Sequence, residues 1–177
     1  RNSRLDGADF TGAEWRKIGY LAVLDFSGAK GFPAHFYTNW KRLPDKDLSG
    51  CDLTGIDVKY MDFAGFNFQE ADLSRTVGFQ NNFIGADFRK ANLLRASFNH
   101  SQFDEANFTA ANLEKAYFVR ARFENAIFDH ANLKDADFMA TNLYYGKVYK
   151  ALHLDEARGI PQFLLKRWKD KQEAAEK

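Results

Sequence analysis

From Leu48 to Val148 one residue in every five is a central apolar residue, with no slip in the spacing. It runs Leu53, Val58, Phe63, Phe68, Leu73, then Phe83 through Phe138 to Leu143 and Val148, and Gly78 is the one vacancy. The slot two before the centre is small over most of this span, as at Ala86, Ala91, Ala106, Ala116, Ala126 and Ala136. The slot just before the centre is usually Asp or Asn, as at Asp52, Asp62, Asp72, Asn92, Asn107 and Asn132. Such a period matches neither an α-helix, at about 3.6 residues, nor a β-strand, at about 2. If the central and the small residue both point inward, each unit has to turn a corner. Four units then close a coil, and coils stack through backbone hydrogen bonds about 4.8 Å apart.

That geometry requires residues twenty apart to share a chemistry, and they do. One column reads Leu53, Leu73, Leu93, Leu113, Leu133, and the next Val58, Gly78, Phe98, Phe118, Phe138. The third reads Phe63, Phe83, Phe103, Phe123, Leu143, and the fourth Leu48, Phe68, Phe88, Phe108, Phe128, Val148. Each buried Phe or Leu contributes on the order of 1.5–3 kcal/mol. The preceding Asp or Asn can bond turn backbone, which makes most of the acidic residues structural. About five coils make a rod of roughly 24 Å.

The units "ADLSR", "ADFRK", "ANLLR" and "ANFTA" resemble the pentapeptide-repeat family, whose unit is a small residue, Asp or Asn, Leu or Phe, a polar residue and often Gly. The resemblance spans roughly 46–155, with an outlying piece near 3–17. It implies an all-β solenoid, a right-handed quadrilateral β-helix. The fifth slot departs from the family pattern, since it is charged or bulky at Arg75, Lys90, Arg95, Lys115 and Arg120. Bacterial cytoplasm and chloroplast thylakoid lumen are both compatible with the family. Some members are similar to duplex DNA in shape and charge and modulate a DNA topoisomerase, which supplies an alternative function.

Open ends of a stacked rod would pair with other chains unless covered. The segment 156–177 reads as a C-terminal α-helical cap: Pro161 suits a first turn, and Ile160, Leu164 and Trp168 share a face. A similar stretch occurs earlier, "AKGFPAHFYTNWK" at 29–41 against "ARGIPQFLLKRWK" at 157–169. Residues 1–45 therefore read as a partial repeat coil plus a cap helix at about 32–42 and a joint, ahead of the main β-helix over 46–155.

Catalytic patterns are missing from the chain. There is no Gly-rich phosphate loop, no nucleophile elbow and no Cys/His pairing at nucleophile spacing. His35, His100, His130 and His153 lie on different columns, so no metal cluster is expected, and Cys51 occupies an inward small slot. No apolar run approaches the roughly 18 residues of a membrane span. The net charge of +1 draws the chain to neither nucleic acid nor an anionic membrane. The expectation is a protein without catalytic activity or cofactor that binds one or more proteins.

The outward faces carry that expectation. The face of the Val58–Phe138 column should present Tyr60, Val77, Phe79, Tyr117, Val119 and Met139. The corner before it stacks Arg75, Arg95 and Lys115, Arg120 stands at the far corner, and the following face is acidic at Asp104, Glu105 and Glu124. An apolar strip flanked by cations suits a protein partner bearing acidic groups. Near the C-terminal end Tyr144, Tyr145 and Tyr149 depart from the pattern, and part of this group can lie beneath the helix.

Overall fold

The corner is a backbone turn. The N–H of each small residue donates to the carbonyl of the central residue before it, as from Ala91 to Phe88 (3.0 Å) and from Ala111 to Phe108 (2.9 Å). The fifth-slot residue inside this turn has positive φ, 59° at Lys90 and 58° at Ala110, as the third residue of a type II turn does. Glycine takes that conformation freely at Gly50, Gly55, Gly65 and Gly85. At most other corners an L-residue is held there, at a cost of roughly 1 kcal/mol each. The Asp or Asn before the centre secures the turn. Its Oδ1 accepts the N–H two residues on, from Ser74 to Asp72 (2.8 Å), Arg89 to Asp87 (3.0 Å) and Thr109 to Asn107 (3.0 Å).

A computed structural model describes residues 46–175. The coil-plus-helix expected over 1–45 lies outside the described residues. Coils stack in parallel at a register of twenty, as in Asp72↔Asn92, Asn92↔Asn112 and Asn112↔Asn132. Each unit spends its length turning, so most pairings are single bridges. Among the described residues only β1 (Val77–Phe79) and β2 (Ser97–Asn99) extend to a paired strand. Along the Leu column's outer face the amides form a ladder, Asn92 Nδ2 donating to Asp72 Oδ1 (3.2 Å), Asn112 to Asn92 (3.2 Å) and Asn132 to Asn112 (3.1 Å).

Inside, stacking brings like rings together. Phe63, Phe83, Phe103 and Phe123 lie near-parallel at 5.2, 4.9 and 5.2 Å between centroids. Phe68, Phe88, Phe108 and Phe128 do so at 4.9, 4.9 and 5.1 Å. The two walls meet edge to face, as at Phe83–Phe88 (5.4 Å), a geometry the ring quadrupole favours. At Gly78 the vacancy is filled from its neighbours: an added Cβ would lie 2.5 Å from Phe98 Cδ1 and collide with Asn81 Nδ2.

The regular repeat ends near Thr141. A 3-10 turn at Leu143–Tyr145 replaces one corner, and the bridge register lengthens by one residue at Asp137↔Arg158. His153 takes positive φ and stays exposed while Leu154 turns into the core. Then follows α1 (Gln162–Ala175). Leu164 and Ile160 are buried, and Trp168 Nε1 donates to Ala151 O (3.0 Å). That carbonyl is of the kind that accepts the next coil's N–H elsewhere, as Ala131 O does from Leu152 (2.8 Å).

Candidate functional site

Outside the Val58–Phe138 column, two slots per unit point away from the core. Before the centre stand Asp57, Val77, Ser97, Tyr117 and Asp137, and after it Lys59, Phe79, Asn99, Val119 and Met139. Tyr60 (69%), Val77 (40%), Tyr117 (49%) and Met139 (49%) are exposed. Phe79 and Val119, also expected to face outward, are half-buried. Phe79 is covered by rings from adjacent coils, edge-on to Tyr60 (5.8 Å) and tilted against His100 (4.9 Å).

An apolar residue in the Asp/Asn slot removes the acceptor the turn needs, and the structure shows what replaces it. Tyr117 cannot accept the Val119 N–H, and Asn99 Oδ1 of the preceding coil does so at 2.8 Å. Asn99 Nδ2 is held in turn by Ser97 Oγ (3.2 Å). On the next face Arg122 fills the same slot, and Asp104 Oδ1 takes the Glu124 N–H (2.7 Å) while its Oδ2 pairs with Arg122 (3.0 Å). That face is therefore less acidic than its carboxylates imply. Sequence reasoning missed these supports. Their signal is an Asp or Asn one slot after the centre, twenty residues before the N–H it satisfies.

The cationic corner is not uniform. Lys115 pairs with Glu114 (2.9 Å) and approaches Asp135 (3.8 Å), the next member of its own column. The hydrogen bond to Lys115 holds the Glu114 carboxyl below the usual carboxylate range and raises the Lys115 ammonium. Arg75, Arg95 and Arg120 are exposed and have no ion-pair partner among the described residues. Free positive charge thus borders the apolar face at Arg75 and Arg95 on one corner and Arg120 on the other.

Of the tyrosines near the C-terminal end, Tyr144 and Tyr145 are exposed, while Tyr149 is half-buried against α1. Among the described residues no group of His, Cys, Asp or Glu could hold a metal ion, and no helix is long and apolar enough to cross a membrane.

A family model for pentapeptide repeats matches residues 47–78, 82–118 and 106–143, in eight copies. No curated protein matches the chain. Among solved structures it is similar to HetL from the cyanobacterium Nostoc, a pentapeptide repeat protein involved in heterocyst differentiation regulation. The TM-score is 0.61 at 22% identity, covering 63% of this chain and 47% of HetL. A pentapeptide repeat protein of the Arabidopsis thaliana thylakoid lumen matches at TM-score 0.51 and 24% identity, covering 61% of this chain and 72% of that one. The plasmid-mediated fluoroquinolone resistance protein QnrB1 matches at TM-score 0.54 and 22% identity, covering 59% and 57%. The chain thus spans about half the length of HetL and of QnrB1. At these identities the likeness shows the fold, a right-handed β-helix.

Proposed function

The chain belongs to the pentapeptide-repeat family, and from that premise we propose that it is a non-catalytic protein-interaction scaffold or structural subunit of a larger assembly. The observation that carries this reading is the exposure of Tyr60, Val77, Tyr117 and Met139 on one side of the coil, bordered by Arg75, Arg95 and Arg120. Apolar area gives a partner its contact, and the free guanidiniums select one that bears carboxylates around an apolar patch. The rigid stack holds these groups at fixed spacing, so little side-chain order has to be gained on binding. In the same reading α1 is the cap of the C-terminal end, because Trp168 occupies an edge carbonyl that would otherwise recruit another strand.

The test is quantitative affinity capture from the native source with mass spectrometry. Tyr117→Ala with Met139→Ala, and separately Arg75→Glu with Arg95→Glu, should reduce capture of the specific partner about tenfold or more, with the urea midpoint unchanged. Equal capture by both variants refutes the assignment of this face.

Topoisomerase modulation by DNA mimicry is the second reading. A net charge of +1 and the unpaired Arg75 and Arg95 stand against it, because a mimic of duplex DNA has to present an anionic surface. A gyrase supercoiling assay with and without the protein separates the two; inhibition would favour mimicry.

A further inference from the structure

The first described coil is as buried as an interior one. In a parallel stack the apolar residues of a terminal coil meet a neighbouring coil on one side only, as Phe63 meets Phe83 (5.2 Å). At the C-terminal end α1 lies over the other side, and Val148 (0%), Ala151 (1%) and Leu154 (0%) are buried. At the N-terminal end no described residue precedes Lys46, yet Leu48 (1%), Leu53 (2%), Val58 (5%) and Phe63 (2%) are buried too. Phe66 takes a slot that is small elsewhere and packs against Phe63 (5.5 Å) and Phe68 (6.2 Å). Its own ring is only 2% exposed, so it is no lid by itself.

The rim of this end is acidic. The slot before the centre is Asp at all four positions of the first coil, Asp47, Asp52, Asp57 and Asp62, whereas only Asp72 and Asp87 hold it in the next three coils. Asp57 pairs with Lys59 (2.7 Å), but Asp47 and Asp52 have no cationic partner among the described residues. The rim also presents backbone acceptors. Elsewhere a carbonyl in that slot accepts an N–H of the preceding coil, as Asp72 O does from Leu53 (2.7 Å) and Val77 O from Val58 (2.9 Å). Those of Asp52 and Asp57 have no donor among the described residues.

A cover for such an end has to be apolar, basic and able to donate. The stretch 26–44 contains no Asp or Glu and carries Lys30, Lys41 and Arg42. Within it "AKGFPAHFYTNWK" sets Phe32, Phe36 and Trp40 where the C-terminal stretch has Ile160, Leu164 and Trp168, the residues that close the other end. Trp40 stands six residues before Lys46, so the chain holds it within about 22 Å of this end. We propose that residues 29–42 close the N-terminal end of the β-helix. Phe36 and Trp40 rest on Phe63 and Phe66, the Trp40 indole N–H donates to the carbonyl of Asp52 or Asp57, and Lys41 and Arg42 face the aspartate rim. Both ends of the stack are then closed by copies of one motif, which leaves the outer faces for binding. The inference does not depend on the function proposed for the Val58–Phe138 face.

The readout is Cys51, the chain's single cysteine, which lies in the first coil at 3% exposure. In the full chain its labelling by a maleimide should be slow. Phe36→Ala with Trp40→Ala should speed it about tenfold or more while amide exchange at Leu133 stays unchanged. Lys41→Glu with Arg42→Glu should also speed it, by a factor that shrinks as salt is added. Tyr117→Ala with Met139→Ala should leave the rate as it is. In the parent protein, whatever the variants do, nuclear Overhauser contacts should join the Trp40 indole to the Phe63 or Phe66 ring. The proposal is overturned by fast labelling of the parent, by an unchanged rate in either cap variant, by equal acceleration in the Tyr117/Met139 variant, or by absence of the Trp40 contacts. A parent rate that rises on dilution would assign the cover to a second copy and overturn it as well.

Discussion

Filling the one gap in the repeat should weaken the protein. By repeat logic Gly78 is a defect, since its column reads Val58, Phe98, Phe118 and Phe138 elsewhere, and Gly78→Ala moves toward the consensus. The position does not have the positive φ that would require glycine. A Cβ there would lie 2.5 and 2.7 Å from Phe98 Cδ1 and Cε1 and would collide with Asn81 Nδ2. Neither neighbour is free to give way. Phe98 is fully buried and packs edge to face on Phe83 (5.3 Å) and Phe103 (5.9 Å). Asn81 is buried, and its Oδ1 accepts the Met61 N–H at 2.8 Å. Overpacking of this kind costs about 1–3 kcal/mol, and loss of the Met61 bond adds about 1 kcal/mol. The entropy removed from the unfolded chain returns about 0.5–1 kcal/mol. The net expectation is a destabilisation of about 1–3 kcal/mol, which lowers a urea midpoint by roughly 1 M at an ordinary slope. Far-UV circular dichroism in urea reads it directly. Adding Phe98→Leu should recover part of the loss, with a coupling of at least about 0.5 kcal/mol in the double-mutant cycle. A Gly78→Ala protein as stable as the parent would refute the packing argument.

Three further outcomes follow from the corners, the C-terminal end and the outer ion pairs. Ala110→Gly, at φ 58°, relieves left-handed strain of about 1–2 kcal/mol against a glycine entropy cost of about 0.5–1 kcal/mol, so the urea midpoint should rise slightly. Trp168→Ala should cost about 2 kcal/mol in packing and hydrogen bonding and should promote self-association visible by light scattering, because Ala151 O becomes an open edge. At Asp87, burial pushes the carboxyl up, but hydrogen bonds and charge from Arg89, with a bond from Gln69, outweigh it and hold the group below its usual value. A depressed carboxyl stabilises the fold above its unfolded pKa and loses that contribution as pH falls through the folded one. Arg89→Ala should therefore lower the urea midpoint slightly at neutral pH and leave it almost unchanged once the pH has fallen through the depressed Asp87 value.

The solenoid was legible because its determinants are local and recur. Central Phe and Leu, small Ala and the Asp or Asn before the centre each do the same task in every unit, so a register of twenty could be read from the columns. The exposed Tyr60, Val77, Tyr117 and Met139 followed from the same indexing. What could not be read depends on contacts between coils. Phe79 is half-buried, as are most residues in the slot after the centre, with the Tyr60 and His100 rings of adjacent coils lying against it. The role of Asn99 emerges only once Tyr117 is seen to lack an acceptor that Val119 needs. The supposed run of cations ends at Lys115 because Asp135 and Glu114 reach it. Near the C-terminal end the period itself fails. One extra residue places Leu154 rather than His153 in the core.

The parallel register has a practical consequence for anyone who wants to block or detect this surface. Val77 pairs with Ser97, Ser97 with Tyr117 and Tyr117 with Asp137, so neighbours along the stack are a full coil apart in the chain. A synthetic fragment shorter than that interval carries only one member of each such row. Antibodies raised against linear peptides should miss the assembled face, and competitors of the binding proposed for it will have to be folded β-helices or molecules shaped to several rungs at once.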